Sequence, residues 1–309
     1  MKEVKITKEK YGQFGNVINL TNGIIELKVT VDVGPRIIYF GFVGKDNIFF
    51  EDKEDAIGRD TKDMCIYGEN NLWHIYGGHR LWSSPEISPR TYYPDNDPVD
   101  YEIIKNGVRV TPPVQKWTNL QMVMDIVFKG DKKVVVKHRV INAGAWDIEL
   151  APWALTVMRA GGVEYIPFPK RQPELLPNRN LGVWPYTNLQ DKRVYLGKEF
   201  MSLKADPTAR GKVKLGLNNE EGYAMYFIDG DLFVLSYDTV VEGNYPDGGM
   251  SYETYTKGPM LEMETLGELE LLGPGEGTEL TETWQLFDSI PLPANEKELK
   301  EFVSKKLKK

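Results

Sequence analysis

The chain has 309 residues, 38 Lys+Arg against 45 Asp+Glu, and a formal net charge of −7. That length is enough for one large β domain or two smaller domains, with a substantial core and no need for staples. The single Cys65 excludes an intramolecular disulfide framework and a Cys-based zinc or iron–sulfur site. The acidic balance argues against a general nucleic-acid binder. No apolar run reaches the ~18 residues of a membrane span, and Met1 to Lys10 lacks the apolar segment of a secretory signal. The expectation is a soluble, cytoplasmic protein. With 16 Tyr, 12 Phe, 7 Trp, 29 Gly and 19 Pro, the composition suits strands and turns.

In chain order, the first clear element is Glu26 to Val33, where polar and apolar residues alternate with the period of a half-buried strand. Asn22-Gly23 before it is a hairpin-turn signal. Gly34-Pro35 breaks the chain, 36–43 reads as the next strand, and 47–50 as a short third. Residues 51–98 are rich in Asp, Gly, Pro, Asn and Trp with little periodicity, so a long functional loop region is predicted there. Strands are predicted at 99–104, 108–111, 120–128 and 134–141. The apolar run from Asp147 to Met158 contains Pro152, which predicts a bent or edge strand. A second loop-rich region covers 161–192. Further strands are predicted near 194–196, 200–204, 212–217, 223–228, 231–239, 258–272 and 278–287. The one helix is C-terminal: Asn295 is a plausible N-cap with Glu298 three residues on, and Leu299, Phe302, Val303 and Leu307 fall at helical spacing. The basic tail Lys305–Lys309 reads as cations favourable at a helix C-terminus. The pattern as a whole predicts an all-β fold, a large antiparallel sandwich or barrel with one C-terminal helix. No Gly-rich phosphate fingerprint and no G-x-S-x-G elbow occur.

Any imidazole acid or base must be His74, His79 or His138. His138 shares a strand face with Val134, Val136 and Val140, which is the place of a hydrogen-bonded core histidine or of one on a site-bearing face. The stretch Tyr76-Gly77-Gly78-His79-Arg80-Leu81-Trp82-Ser83-Ser84-Pro85-Glu86 gathers an imidazole, a fork donor, an aromatic plate and a carboxylate in one predicted loop. Trp offers a flat apolar face to a sugar ring, and Arg gives directional bonds to its oxygens. The alternative is a structural loop whose Trp plugs the core. A His74/His79 metal pair fits no standard zinc spacing. In Leu261-Glu262-Met263-Glu264-Thr265, Glu262 and Glu264 share one face, and adjacent carboxylates can push their pKa values apart in preparation for acid/base work. The alternative is a solvated strand face. Glu276 sits in a tight turn, and Tyr245-Pro246-Asp247 lines a pocket or caps a hairpin.

These residues resemble the galactose mutarotase-like (aldose 1-epimerase-like) proteins, and more closely those bacterial members with a G-G-H/D-R-L-W-x-x-P-E motif. Gly77 to Trp82 with Pro85-Glu86 is similar to that motif. Gly34-Pro35-Arg36-Ile37 resembles the opening hairpin, and Glu262 to Thr265, Leu272 to Glu276 and Thr283 to Phe287 resemble the closing segment. The resemblance runs from about residue 16 to 287. It implies a β-supersandwich over 1–290 with the 291–309 helix packed on it, and a small-molecule carbohydrate site needing no cofactor or metal. In mutarotases a Glu takes the anomeric hydroxyl's proton while a His protonates the ring oxygen. Carried over, Glu276 is the base, Glu264 the preceding glutamate and His79 the acid. Arg80, Trp82, Glu86, Glu262, His138, Tyr245 and Asp247 are the candidate sugar ligands. Leu266 stands where mutarotases carry a glutamine, and Trp153 where a His is found. A non-catalytic sugar binder and a polysaccharide-acting glycosidase or lyase are the alternatives.

Overall fold

The computed structural model describes residues 2–59, 61–68 and 71–307. Two antiparallel sheets, one of eleven strands and one of ten, pack face to face. The first sheet runs in space from Lys5–Lys10 through Asn16–Thr21, Ile25–Thr30, Ile37–Phe42, Gly78–Ser84, Ile148–Arg159, Met260–Leu266, Tyr252–Lys257 and Val213–Leu217 to Leu181–Val183. The second is centred on Asp231–Tyr237, Gly277–Phe287, Lys133–Asn142 and Leu120–Gly130. The expected β-sandwich is therefore the observed one.

Strand alternation builds the core. Leu27, Val29, Phe40, Leu81, Ala154, Met158, Leu261 and Met263 from the first sheet meet Val134, Val136, Val140, Leu280, Trp284 and Leu286 from the second. The opposite face of the first sheet carries its own apolar cluster, with Trp73, Trp82, Trp153, Leu155, Val157 and Met260 buried there. On the far face of the second sheet, Leu299 of the helix Glu296–Lys306 packs with Met225, Phe227, Leu232 and Val234. Asn295 caps that helix as expected, its side chain accepting from the Glu298 N–H at 3.1 Å. Lys308 and Lys309 of the basic tail lie outside the described residues.

Several local expectations change: 161–192 holds the strands Val163–Pro167 and Leu181–Val183, and 258–272 is two strands, Met260–Leu266 and Glu270–Leu272. Three further changes bear on the site. Residues 47–50 form no strand; Phe49 makes only an isolated bridge to Met158. The Gly-Gly-His-Arg stretch is not a loop: Gly78–Ser84 is an internal strand between Ile37–Phe42 and Ile148–Arg159. The two glycines are required by the backbone. A Cβ on Gly77 would lie 2.1 Å from the Phe50 carbonyl oxygen, and one on Gly78 2.3 Å from that of Ile37. Third, Ile148–Arg159 is a central strand despite Pro152. On one side its neighbour Met260–Leu266 ends opposite Trp153, and Glu270–Leu272 resumes only opposite Leu150. Pro152 falls in that gap, so no ladder bond to that side depends on its missing N–H.

Candidate functional site

Because Gly78–Ser84 is a strand, neighbouring residues point to opposite faces. His79 turns into the core between the sheets. Arg80 and Trp82 turn outward, where a cavity of about 330 Å³ opens. Its floor is laid down by pairing register. Arg80 stands opposite Leu155, Leu155 opposite Glu264, and Glu264 opposite Glu253. The adjoining row runs Val157, Glu262, Tyr255, Lys214. Glu262 and Glu264 thus share one face, as their spacing predicts. The walls come from chain on either side of these strands: Trp73 from the short strand Trp73–His74 before Gly78–Ser84, Tyr92 from the turn Arg90–Tyr92 after it, and Trp184 and Tyr186 from the stretch that follows Leu181–Val183.

The floor is charged and buried. Arg80, 2% exposed, donates through Nη2 to Glu262 Oε1 at 3.1 Å, and its guanidinium lies 4.3 Å from the Trp82 ring centre. Lys214 sits between two carboxylates, 3.0 Å from Glu264 Oε2 and 2.8 Å from Glu253 Oε2, against the rings of Trp153 and Trp184. Trp153 Nε1 donates to Glu264 Oε2 at 3.0 Å. Glu264 and Glu253 are both fully buried. Among the described residues, Arg80 Nε and Nη1, Glu264 Oε1 and Glu253 Oε1 find no hydrogen-bond partner. Three of these atoms, on Arg80 and Glu264, belong to residues that line the cavity; buried polar atoms are nearly always satisfied, so they are the candidate contacts for a ligand.

The electrostatics follow from that burial. Desolvation lifts the Glu264 carboxyl to about 7, against the pull of Lys214 and with the push of Glu262. Burial likewise raises Glu253 well above the usual carboxylate range, Lys214 opposing and Glu264 adding. Burial alone would lower Lys214, but Glu264 and Glu253 outweigh it and hold the ammonium above its ordinary value. Burial lowers Arg80 despite Glu262. It raises the Tyr186 phenol to about 12 and the Tyr255 phenol as well.

The expected site residues divide. Arg80, Trp82, Glu86, Glu262 and Glu264 line the cavity, Glu86 exposed at its rim and accepting from the Tyr92 hydroxyl. His79 and His138 do not reach it. They meet inside the sandwich, Nε2 to Nε2 at 2.7 Å, both fully buried. His138 Nδ1 must donate to the Leu280 carbonyl at 2.9 Å, so its Nε2 accepts from His79 Nε2–H; His79 Nδ1 then accepts from the Thr156 hydroxyl at 2.9 Å. Beside them Glu282 accepts from Thr265 at 2.5 Å and from Trp284 Nε1 at 2.8 Å. Burial lowers both imidazoles, His138 to about 4, and raises Glu282 to about 7.

Ligand atoms of His79, His138 and Glu282 lie within 4.8 Å of one another, but each ring nitrogen is already engaged and the cluster has no opening into the cavity's lining. His74 is elsewhere, bonded to Asp55 at 2.6 Å. Glu276 is exposed in its turn and accepts from the Gly273 N–H at 2.8 Å. Tyr245 lines a separate cleft of about 170 Å³, its hydroxyl accepting from the Val240 N–H at 2.8 Å, and Asp247 is exposed in the same turn. Lys214, Glu253, Trp73, Trp184, Tyr186 and Tyr255 are the contributors that motif reading passed over. Strand alternation at 213–217 and 252–257 does put Lys214, Glu253 and Tyr255 on one side of the sheet.

Among solved structures the chain is similar to a galactose mutarotase-like protein from Lactobacillus casei. The TM-score is 0.58 at 11% identity, covering 88% of this chain and 100% of that one. It is also similar to a putative mutarotase from Salmonella typhimurium, with TM-score 0.55 and 8% identity over 93% of this chain and 96% of that one. The fold is galactose mutarotase-like. A TPR-domain containing protein from Parabacteroides distasonis matches with TM-score 0.60 and 14% identity over 91% of this chain; the chain spans about half, 49%, of that longer protein. The sequence matches no family profile and no curated protein. Among the described residues, no helix is long and apolar enough to cross a membrane.

Proposed function

We propose that the protein binds an aldose in the 330 Å³ cavity and exchanges its anomers. The observation that carries this is the pairing of aromatic walls with a buried floor whose donors and acceptors lack partners: Arg80 Nε and Nη1 on one side, Glu264 Oε1 on the other. Aromatic faces take the C–H face of a pyranose, and orphaned polar atoms take its hydroxyls. The volume lies at the small end of ligand pockets, which suits a monosaccharide better than a polymer groove.

Glu264 is the proton-transfer group in this reading. A carboxyl near 7 both accepts and returns a proton at neutral pH, and such a group is worth roughly 10²–10⁴-fold. Glu262, two residues away on the same face and paired with Arg80, is the second carboxyl. His79, His138 and Glu276 have no role here, because none of them lines the cavity. The reading of a non-catalytic sugar binder is favoured by one observation: among the described residues no imidazole reaches the cavity to protonate a ring oxygen.

Two measurements decide. Tryptophan fluorescence titrated with a panel of aldoses reads binding, and NMR exchange between α and β anomers reads turnover. Binding with anomer exchange accelerated by the wild type, and slowed about a hundredfold in Glu264→Gln, is the expected result. Binding without acceleration leaves a sugar receptor; no binding by any aldose rejects the proposal.

A further inference from the structure

We propose that the saccharide this cavity takes carries a cationic amine, as an unacetylated amino sugar does. The inference rests on the saccharide reading above and narrows it to one substrate class. It begins with a mismatch of charge at the floor. Glu262 has its own cation in Arg80 at 3.1 Å. Glu253 and Glu264 share one, Lys214, at 2.8 and 3.0 Å. Counting Glu253, which pairs with Lys214 from just behind the cavity's lining, three buried carboxylates thus share two buried cations. The rim does not redress this, since exposed Lys212 and exposed Glu86 oppose each other there.

An uncompensated buried carboxylate is costly, and in the empty protein a proton fills the deficit. A ligand ammonium would fill it instead. The remaining features suit that occupant. Glu264 is wholly buried, lines the cavity and presents an oxygen without a partner. Trp184, Tyr186, Tyr92 and Tyr255 supply aromatic faces, which attract cations as well as sugar rings. An anionic sugar, bearing phosphate or carboxylate, would add to the surplus of negative charge.

Proton counting makes the inference testable. The charged and titratable groups around Glu264 are Lys214, Glu253 and Tyr255 from the neighbouring strands, Glu262 on its own strand, Arg80 across Leu155, and Glu86 and Tyr186 from the walls. A bound ammonium favours the ionised carboxylate, so binding expels the proton that the empty site holds. At pH 6.5, half a unit below the empty-site value of about 7, roughly three-quarters of the sites hold that proton, so the release reaches roughly 0.75 proton per site.

The experiment is calorimetric titration at pH 6.5 in buffers of differing ionisation enthalpy. The probes are glucosamine, galactosamine and mannosamine, each beside its N-acetyl derivative and parent hexose, with glucose 6-phosphate and glucuronate as anions. The expected result is an amino sugar binding about tenfold or more tighter than its neutral counterparts, with proton release. In Glu264→Gln the release and the preference both disappear; the wild-type proton count stands as evidence even if that variant fails to fold. Equal or tighter binding of a neutral hexose or an anion overturns the amine inference and leaves the saccharide reading intact. Failure of every sugar to bind overturns both.

Discussion

Together the strands Gly78–Ser84, Ile148–Arg159 and Met260–Leu266 carry buried polar groups on both sheet faces, and the two sets are built differently. Toward the core, His79, Thr156 and Thr265 join His138 and Glu282 in a closed network in which each imidazole nitrogen and both Glu282 oxygens have a partner. Toward the cavity, Arg80 and Glu264 from the same strands are as deeply buried, yet leave donors and acceptors unmatched. Burial and residue type alone therefore do not separate a structural polar cluster from a binding site; satisfaction does. A histidine beside an arginine in a promising motif belongs to the first kind here, because one step along a strand changes the face.

The sharpest way to break this comparison is to cut the closed network. His138→Ala should cost about 3–5 kcal/mol, since it opens a void and strands His79 Nε2–H and the Leu280 carbonyl. Chemical denaturation measures it, and a loss under about 1 kcal/mol would mean the network is not structural. The second test uses pH. Burial holds Glu164, bonded to Tyr252 and Thr254 between the sheets, at about 8, so the native state keeps a proton that the unfolded chain has released above about 4.5. Its contribution is present at low pH and is lost as pH rises toward 8. Glu164→Gln should therefore gain stability relative to wild type between pH 5 and 8.5, on the order of a few kcal/mol, as thermal melts would read. His138 acts in the opposite window. Its neutral form is favoured down to about 4, so stability falls as pH drops below the usual imidazole range.

On the cavity side the expected effects are smaller and of another kind. Glu264→Gln removes one of three buried carboxylates that share two cations, so its unfolding free energy at pH 8 should equal or exceed that of wild type, by about 1–2 kcal/mol. A marked loss of stability there would place Glu264 with the structural network. Trp184→Ala should weaken sugar binding about tenfold while leaving unfolding unchanged, which titration and melting together would show. Least affected should be Glu276→Gln. With its side chain exposed on a remote turn, anomer exchange, sugar affinity and stability should stay within about 0.5 kcal/mol of wild type.

Where one sheet face is core and the other polar, the fold was readable from period two. That period alone puts Glu262 and Glu264 on one face and His138 with its valines, and the capping pattern marks Asn295 as the helix start. Gly78–Ser84 hid as a strand because its glycines and prolines next door mimic a loop, although His79 and Leu81 alternate with Arg80 and Trp82. The meeting of His79 with His138, 59 residues apart, depends on how two sheets stack, and no local pattern encodes that. The same holds for Lys214 reaching Glu264 across 50 residues. Pro152 misled for a different reason: its tolerance comes from a neighbour that ends opposite it, which only the pairing partner reveals.

The close approach of Gly77 and Gly78 to Phe50 and Ile37 has a further consequence. It clamps the boundary between irregular chain and sheet at a single point, so lengthening or replacing residues 51–76 need not shift the strand beyond it. The segment before it keeps its own anchorage, since Met64, Tyr67, Trp73 and Ile75 pack with Trp82 and Trp153. Exchanges that respect those four buried side chains are therefore the route to a reshaped cavity wall over an unaltered charged platform.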